Sequence, residues 1–123
     1  MAESDWKSEG YSVAELAKLE PIECPCGLAR RAFGDVENGP ATLHLTEISA
    51  TARTHYHKRL TEIYYVLEGE GYLELNNDRV PLRPGQAVMI QPLTRHRAVG
   101  QLRVLIVAIP QFDPADEWFD ERG

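Results

Sequence analysis

The 123-residue sequence lacks long hydrophobic runs. Its longest apolar stretch, residues 104–109, is far below the roughly 18 residues that a membrane-spanning helix needs. The N-terminal stretch MAESDWKSEG has no apolar core of the kind found in secretory signal peptides. These absences predict a cytoplasmic protein without a membrane-spanning segment, and the length fits a single domain.

Cysteine is scarce, with two residues that both lie in the motif Cys-Pro-Cys-Gly at Cys24 and Cys26. A disulfide between them would close a very tight ring, so the sequence predicts a pair of thiols in a reducing compartment. A Cys-X-Cys pair can also ligate a metal. Because there is no second cysteine pair, turn or core thiols are the favoured interpretation.

An excess of basic residues is also missing, since the net charge is −6, which argues against binding of duplex nucleic acid. The charge is unevenly distributed. Residues 51–103 hold eight Lys or Arg residues against five acidic ones, net +3, so the two flanks together carry −9. A pocket built by this middle region would favour a small anion, unless these are ordinary solvated strand residues.

Helical patterns are nearly lacking. Residues 12–20 form the exception, because Ser12 and Glu15 make a capping box and apolar residues follow at roughly helical spacing until Pro21. We therefore expect a short N-terminal helix after a polar, frayed segment 1–10. The domain divides into an N-terminal segment 1–27, a core of about 28–110 and an acidic tail 111–123.

Short apolar or alternating runs separated by turn residues make up the rest, which is an all-β pattern. The predicted strands are 29–33, 41–48, 53–57, 62–67, 71–75, 79–82, 87–90, 96–99 and 102–109. Eight or nine short strands imply a sandwich or barrel. The tail carries five acidic residues with Trp118 and Phe119, and it is predicted to be a docked arm or a short helical turn.

Three of the four histidines stand beside or within predicted strands. His55 and His57 are two residues apart, so on an extended strand both imidazoles point to the same face. Glu62 opens the next strand, and the short link 58–61 would let that strand return antiparallel beside the first. His96 follows after two hairpins. Three imidazoles and a carboxylate suit a first-row divalent metal, whereas a surface His-X-His with a solvated Glu62 is the alternative.

Two segments resemble the conserved motifs of the cupin family. Residues 55–69 resemble the first motif, G(X)5HXH(X)3-4E(X)6G, with matches at His55, His57, Glu62 and Gly69 and with Ser49 at the opening glycine. Residues 85–100 resemble the second motif, G(X)5PXG(X)2H(X)3N. There Gly85 and His96 match, and the remaining positions are held by Gln91, Leu93 and Gly100. The resemblance covers about residues 40–110.

The cupin resemblance implies a jelly-roll β-barrel that is open at one end and pairs as a homodimer. It also implies one mononuclear metal near the mouth, held by His55, His57, Glu62 and His96. The number of predicted strands independently favours a barrel, because closure of a sheet removes its edges and an eight-stranded barrel can hold a small ligand. The ligand set does not choose among iron, manganese, nickel, zinc and copper.

Three further residues share a strand face with ligands or lie near them. Arg53, beside His55, could clamp a substrate carboxylate, and Tyr64, beside Glu62, could supply a proton or a hydrogen bond. The alternatives are that Arg53 reaches solvent and that Tyr64 is a core ring. His44 could support the site from behind, but a satisfied or exposed histidine is the favoured interpretation.

The resulting functional hypothesis is a small metalloenzyme of dioxygenase or isomerase type that acts on a small polar or anionic molecule. A non-catalytic module that binds a sugar or a carboxylate is the alternative, and a storage or structural cupin is the third. The expected partners are a small-molecule ligand and a second copy of the chain, with no nucleic acid and no membrane.

Overall fold

A computed structural model of the protein describes residues 6–8, 10–50 and 52–120. Nine strands occur in these ranges: β1 Trp6–Ser8, β2 Tyr11–Val13, β3 Ile22–Cys24, β4 Gly27–Ala32, β5 Thr42–Ile48, β6 Thr61–Leu75, β7 Asp78–Leu82, β8 Ala87–Ile90 and β9 His96–Ile109. Two short 3-10 helices, Leu16–Lys18 and Pro114–Asp116, complete the described elements. Over the same ranges, no helix is both long and apolar enough to span a membrane.

Seven of the strands form one antiparallel sheet in the order β3-β4-β5-β9-β6-β7, with β8 paired to β6. The two longest strands, β6 and β9, pair along almost their whole length, from Thr61 opposite Ile109 to Leu75 opposite His96. Because β7 and β8 pair with opposite halves of β6, this long ribbon organises the sheet around it. The β1–β2 hairpin forms a separate two-stranded sheet.

One side of the sheet carries the hydrophobic core. Alternation along the strands places every second residue of β6 and β9 on that side, as the period of two requires. The core cluster consists of Tyr64, Val66, Leu73, Leu82, Ile90, Ala98, Leu102, Val104 and Ile106. Burial of each large apolar side chain contributes about 1.5–3 kcal/mol, so this cluster stabilises the face on which the functional side chains also lie.

The segments 62–67 and 71–75, predicted as two strands, lie in the single strand β6, and 96–99 and 102–109 likewise lie in β9. The turns that these predictions required at residues 68–70 and 99–101 were therefore wrong. Glycines in this region instead allow β6 and β9 to approach each other closely. Gly71 lies opposite Gly100, and a Cβ on Gly71 would stand 2.0 Å from the carbonyl oxygen of Val99. A register shift between Val66 and Glu68 takes up the remaining irregularity.

The predicted N-terminal helix over 12–20 was also wrong. Ser12 lies in β2 opposite Lys7, so it caps nothing, and only Leu16–Lys18 form a single 3-10 turn. A nine-residue helix has little intrinsic stability, and here strand pairing on one side and Pro21 on the other leave no room for it. Residues 6–8 are paired in the hairpin, whereas residues 1–5 and 9, for which fraying was expected, lie outside the described ranges.

Cys24 and Cys26 are joined by a disulfide, so the prediction of free thiols was wrong. Both lie at the tip of the β3–β4 hairpin, where Cys24 pairs with Gly27. The turn at Pro25 brings the two Cα atoms to 5.2 Å, which is within the usual disulfide range of about 4.4–6.8 Å. The hairpin, which the sequence pattern did not reveal, supplies the close approach.

Candidate metal centre

Four buried side chains meet on the inner side of the sheet: His55, His57, Glu62 and His96. One ligand atom of each lies within 4.8 Å of the ligand atoms of the other three. None of the four is more than 5% exposed. Glu62 stands in β6, His96 begins β9, and the two other histidines come from the link between β5 and β6.

The segment that carries His55 and His57 is positioned differently from the prediction. It is not a regular strand beside β6. Instead, His55 pairs with His96 through two backbone hydrogen bonds of 3.1 and 2.9 Å, and Tyr56 pairs with Trp118 of the tail. The segment is therefore held between β9 and the C-terminal arm, and the two imidazoles still reach one cluster.

All three clustered histidines are oriented by the same kind of hydrogen bond. The Nδ1 atoms of His55, His57 and His96 lie 2.9 Å from the backbone oxygens of residues 53, 116 and 94, respectively. A carbonyl oxygen only accepts, so each Nδ1 carries the hydrogen. The Nε2 lone pairs are therefore left to face the centre of the cluster, as in metal-binding histidines whose other nitrogen is anchored.

Glu62 gives the cluster a negative charge. Burial alone would raise its pKa, but the neighbouring imidazoles of His57 and His96 outweigh burial and hold that pKa well below its usual value. Its Oε1 lies 3.1 Å from Nε2 of His96 and 3.5 Å from Nε2 of His57. Two acceptors at such distances repel unless a cation, either a proton or a metal ion, lies between them.

Protons alone fit this cluster poorly. Burial, followed by the nearby His96, lowers the pKa of His55 to about 4, so His55 is neutral at pH 7. Burial also opposes a charge on His57, although Glu62 raises the net pKa of that imidazole. Within the described part of the chain, Nε2 of His57 is the buried side-chain nitrogen that has no hydrogen-bond partner. A divalent ion would satisfy all four donors together, so the residues fit a metal.

The C-terminal arm, residues 112–120, closes one side of the cluster, which confirms the prediction of a docked tail. Its Asp116 is 3% exposed, and its carboxylate accepts the backbone N–H groups of residues 58, 59 and 60 at 3.0, 3.1 and 3.2 Å. Burial works against its ionisation, but these donors prevail and lower the pKa of Asp116. The same residue's carbonyl holds His57.

Glu117 is a second carboxyl near the cluster that sequence reasoning missed. It is half-buried, and burial raises its pKa. The charges that act on its carboxyl include those of Arg31, His57 and Glu62. No local motif marks it, because only the docking of Asp116 and Trp118 on either side brings it there.

Two arginine–phenylalanine stacks flank the histidines. The guanidinium of Arg53 lies 4.0 Å from the ring centroid of Phe119, and that of Arg31 lies 4.3 Å from the centroid of Phe112. The rings of Phe119 and Phe112 lie 6.2 and 6.5 Å from those of His55 and His57, respectively. Arg53 was predicted to lie near the site; Arg31 was missed, although strand alternation with Ala29 puts a charge on an inward position.

Tyr64 lies in the hydrophobic core beside the cluster, and His44 lies outside the cluster. Tyr64 is 1% exposed within the core cluster, with its ring edge-on to His96 at 6.2 Å. Burial, with help from Glu62, raises its pKa well above 10, so the phenol keeps its proton. His44 is buried, and its two nitrogens lie 3.2 Å from Nε of Arg31 and 2.8 Å from the hydroxyl of Thr42. It is therefore a satisfied histidine outside the ligand cluster.

A rolled antiparallel sheet with three histidines and one glutamate on its inner side is the arrangement of the cupin class. The sequence profile described as "Cupin domain" matches residues 43–108, which is more than half of the chain. The chain belongs to the cupin family.

Among solved structures, a protein from Planctomyces limnophilus is similar to this chain, with 44% identity, a TM-score of 0.82, and coverage of 87% of this chain and 95% of that one. Ectoine synthase from P. lautus is also similar, with 26% identity, a TM-score of 0.68, and coverage of 84% and 80%. A curated relative, an uncharacterized protein of Methanocaldococcus jannaschii, is 29% identical over 76 residues, or 58% of this chain. The match spans 61% of that relative's length.

The departures from the second cupin motif have a structural explanation at one position. Leu93, which replaces the motif's glycine, has a φ of 74°. The left-handed backbone that favours glycine is therefore kept with a leucine, whose side chain is 57% exposed and meets no steric limit from the core. The amide of Leu93 donates to the carbonyl of His57 at 2.7 Å, so this strained turn supports the ligand segment.

Proposed function

We propose that the protein is a mononuclear metalloenzyme that catalyses proton transfer, as in isomerisation, on a small anionic molecule. The observation that carries this proposal is the convergence of three Nε2 lone pairs and the ionised Glu62 on one buried point. His55, His57, Glu62 and His96 would hold the ion. When bound, a divalent ion supplies Lewis acidity toward a substrate oxygen. Iron, manganese, nickel, zinc and copper all suit these donors.

The groups around the cluster support proton transfer as the reaction class. Burial raises the pKa of Glu117 above its usual value, which favours a carboxyl that can accept a proton from a substrate and return it. Tyr64, whose phenol stays protonated, can donate a hydrogen bond without losing its proton. Glu117 would thus be the group that exchanges the proton, and Tyr64 would be a neutral hydrogen-bond donor to the substrate.

The two arginines that flank the cluster favour an anionic substrate. Arg53 is exposed at the site and its guanidinium is held over Phe119, while Arg31 is half-buried on the inner side of β4. A guanidinium that is already positioned by an aromatic ring loses less freedom when it binds a carboxylate. We therefore assign Arg53 the role of binding the substrate carboxylate. Arg31 adds positive charge to the same region.

Metal content tests the first step. Purified wild type should contain about one equivalent of a transition metal by elemental analysis, and the double variant His55→Ala/His57→Ala should contain almost none. The control is His44→Gln, because His44 is equally buried but engaged by Arg31 and Thr42. It should keep the metal. Equal content in wild type and the double variant would contradict the proposal.

Activity is tested by hydrogen exchange in D2O. Metal-loaded protein is incubated with small hydroxy and keto acids, and proton NMR follows exchange of the hydrogen beside the carbonyl or hydroxyl. Metal-dependent exchange that is lost in Glu117→Gln, with the metal retained, supports the proposal. Oxygen consumption without exchange would favour the dioxygenase alternative. Ligand binding without either reaction would favour the carboxylate-binding module, which the similarity to ectoine synthase, an enzyme, argues against.

We also propose that a second copy of the chain covers the outer side of the sheet. Ile63 on β6 lies opposite Met89 on β8 and Val107 on β9, which makes an apolar row across three strands. Met89 is 62% exposed and Tyr65, in the next row, is 42% exposed. Such a surface is typical of a protein interface. Sedimentation should show a dimer for wild type and a monomer for Tyr65→Lys.

A further inference from the structure

The Cys24–Cys26 disulfide contributes little as a staple. It encloses one intervening residue, and the entropy that a crosslink removes from the unfolded chain grows with the length of the enclosed loop. The two cysteines are half-buried, and they lie on or beside β3, which among the described strands pairs only with β4. Small reagents can therefore approach this edge of the sheet from solvent.

The disulfide turn is tied to the chain segment that leads into the metal ligands. The carbonyl of Cys26 accepts the amide of Ser49 at 3.0 Å, and the carbonyl of Pro25 accepts the amide of Arg53 at 2.8 Å. Gly27 packs so closely that an added Cβ would lie 2.0 Å from the carbonyl oxygen of Glu47. Turn and segment thus form one packed unit.

A second hydrogen bond extends this connection to a ligand. The amide of Arg53 donates to the carbonyl of Pro25, and the carbonyl of Arg53 accepts the Nδ1 hydrogen of His55 at 2.9 Å. That bond sets the tautomer and the direction of the His55 imidazole. Partners of this kind typically change metal affinity 10–100-fold when they are lost. The backbone of one residue, Arg53, therefore links the disulfide turn to the metal centre.

We propose that Cys24–Cys26 is a redox-exchange site at which reduction by a small thiol loosens the Pro25 turn and weakens metal binding at His55. This inference rests on the proposed metal function. A thiolate of the reagent attacks one sulfur, the Cys24–Cys26 bond breaks, and a second thiol resolves the mixed disulfide. Two electrons and two protons pass to the cysteines, and the reagent leaves as its own disulfide.

The test compares Mn²⁺ affinity in three forms of the full chain, since Mn²⁺ prefers oxygen and nitrogen ligands to thiols. The forms are oxidised wild type, wild type reduced with dithiothreitol and freed of it without oxygen, and the double variant Cys24→Ser/Cys26→Ser. Reduced protein and the double variant should bind about tenfold more weakly than oxidised wild type. Affinities within twofold of one another in all three forms would overturn the inference. If the serine variant does not fold, the comparison of oxidised with reduced wild type decides the test.

A second readout separates this inference from the metal proposal. In metal-free protein, imidazole nitrogen NMR should show a change at Nδ1 of His55 on reduction and none at His96, whose Nδ1 is held by Thr94. Failure of oxidised wild type to bind Mn²⁺ would contradict the metal proposal. The His55 Nδ1 resonance in metal-free protein would then be the test of the link between the disulfide and His55. An unchanged His55 resonance would overturn that link even if the metal binds.

Discussion

Asp116 offers the sharpest test of how the C-terminal arm supports the metal centre. Its Oδ2 accepts the amides of Arg59 and Leu60, and its Oδ1 accepts the amide of Lys58 and the indole N–H of Trp118. In Asp116→Asn, the new NH2 group must face one of these two pairs of donors. Two hydrogen bonds to a charged acceptor are lost, each contributing about 1.5 kcal/mol or more.

We expect Asp116→Asn to lower the free energy of unfolding by about 3 kcal/mol and the melting temperature by about 10 °C. Chemical denaturation followed by circular dichroism measures the first quantity. Asp113→Asn is the matched control, because Asp113 is exposed, pairs with Arg59 at the surface, and caps the 3-10 turn, a role that asparagine also fills. Its cost should stay below about 0.5 kcal/mol.

A second consequence concerns the metal, because the carbonyl of Asp116 orients His57 at 2.9 Å. When the arm is loosened, the affinity for Mn²⁺ should fall about tenfold. If Asp116→Asn costs no more than Asp113→Asn and binds metal as wild type does, the arm is not part of the site and this reasoning is refuted.

Two further predictions concern pH and backbone packing. Burial, then Arg31, lowers the pKa of His44 to about 4 from an ordinary 6.5. Between those values the unfolded chain binds a proton that the folded chain refuses, so stability falls as the pH falls, by about 2 kcal/mol from pH 7 to 5. In denaturation experiments at several pH values, His44→Gln should lose this part of the pH dependence of the free energy of unfolding. The same slope of that free energy against pH in wild type and variant would contradict the prediction. Gly71→Ala should lower the free energy of unfolding by more than about 3 kcal/mol, because its Cβ would meet Val99. Gly85→Ala should lower it by only about 1 kcal/mol, because Gly85 has a φ of 92° and nothing lies within 4 Å of the added Cβ.

The sequence predicted the ligand cluster because its signals are local or periodic. His55 and His57 share a face at a spacing of two, and the family motifs relate them to Glu62 and His96. The residues that orient these ligands were not predictable in the same way. Asp116 and Glu117 reach the site only because the arm pairs with Tyr56, a long-range contact that no spacing encodes.

The predicted turns and the predicted helix were wrong for the same physical reason. Gly69 and Gly100 were predicted to lie in turns, but a glycine also marks a place where two backbones approach closely, and only the facing strand distinguishes these roles. Ser12 and Glu15 match a capping box, yet strand pairing with Lys7 overrides that local preference. In both cases tertiary contacts decided between two locally acceptable structures.

The central claim is that three imidazoles and one carboxylate bind a single metal ion, and X-ray absorption at the metal edge tests it most directly. Protein loaded with one equivalent of Mn²⁺ should show a first shell of nitrogen and oxygen at about 2.0–2.2 Å with the outer-shell scattering that is typical of imidazole rings. That imidazole signal should disappear in the His55→Ala/His57→Ala variant. A shell of water oxygens in wild type, without imidazole scattering, would contradict the account.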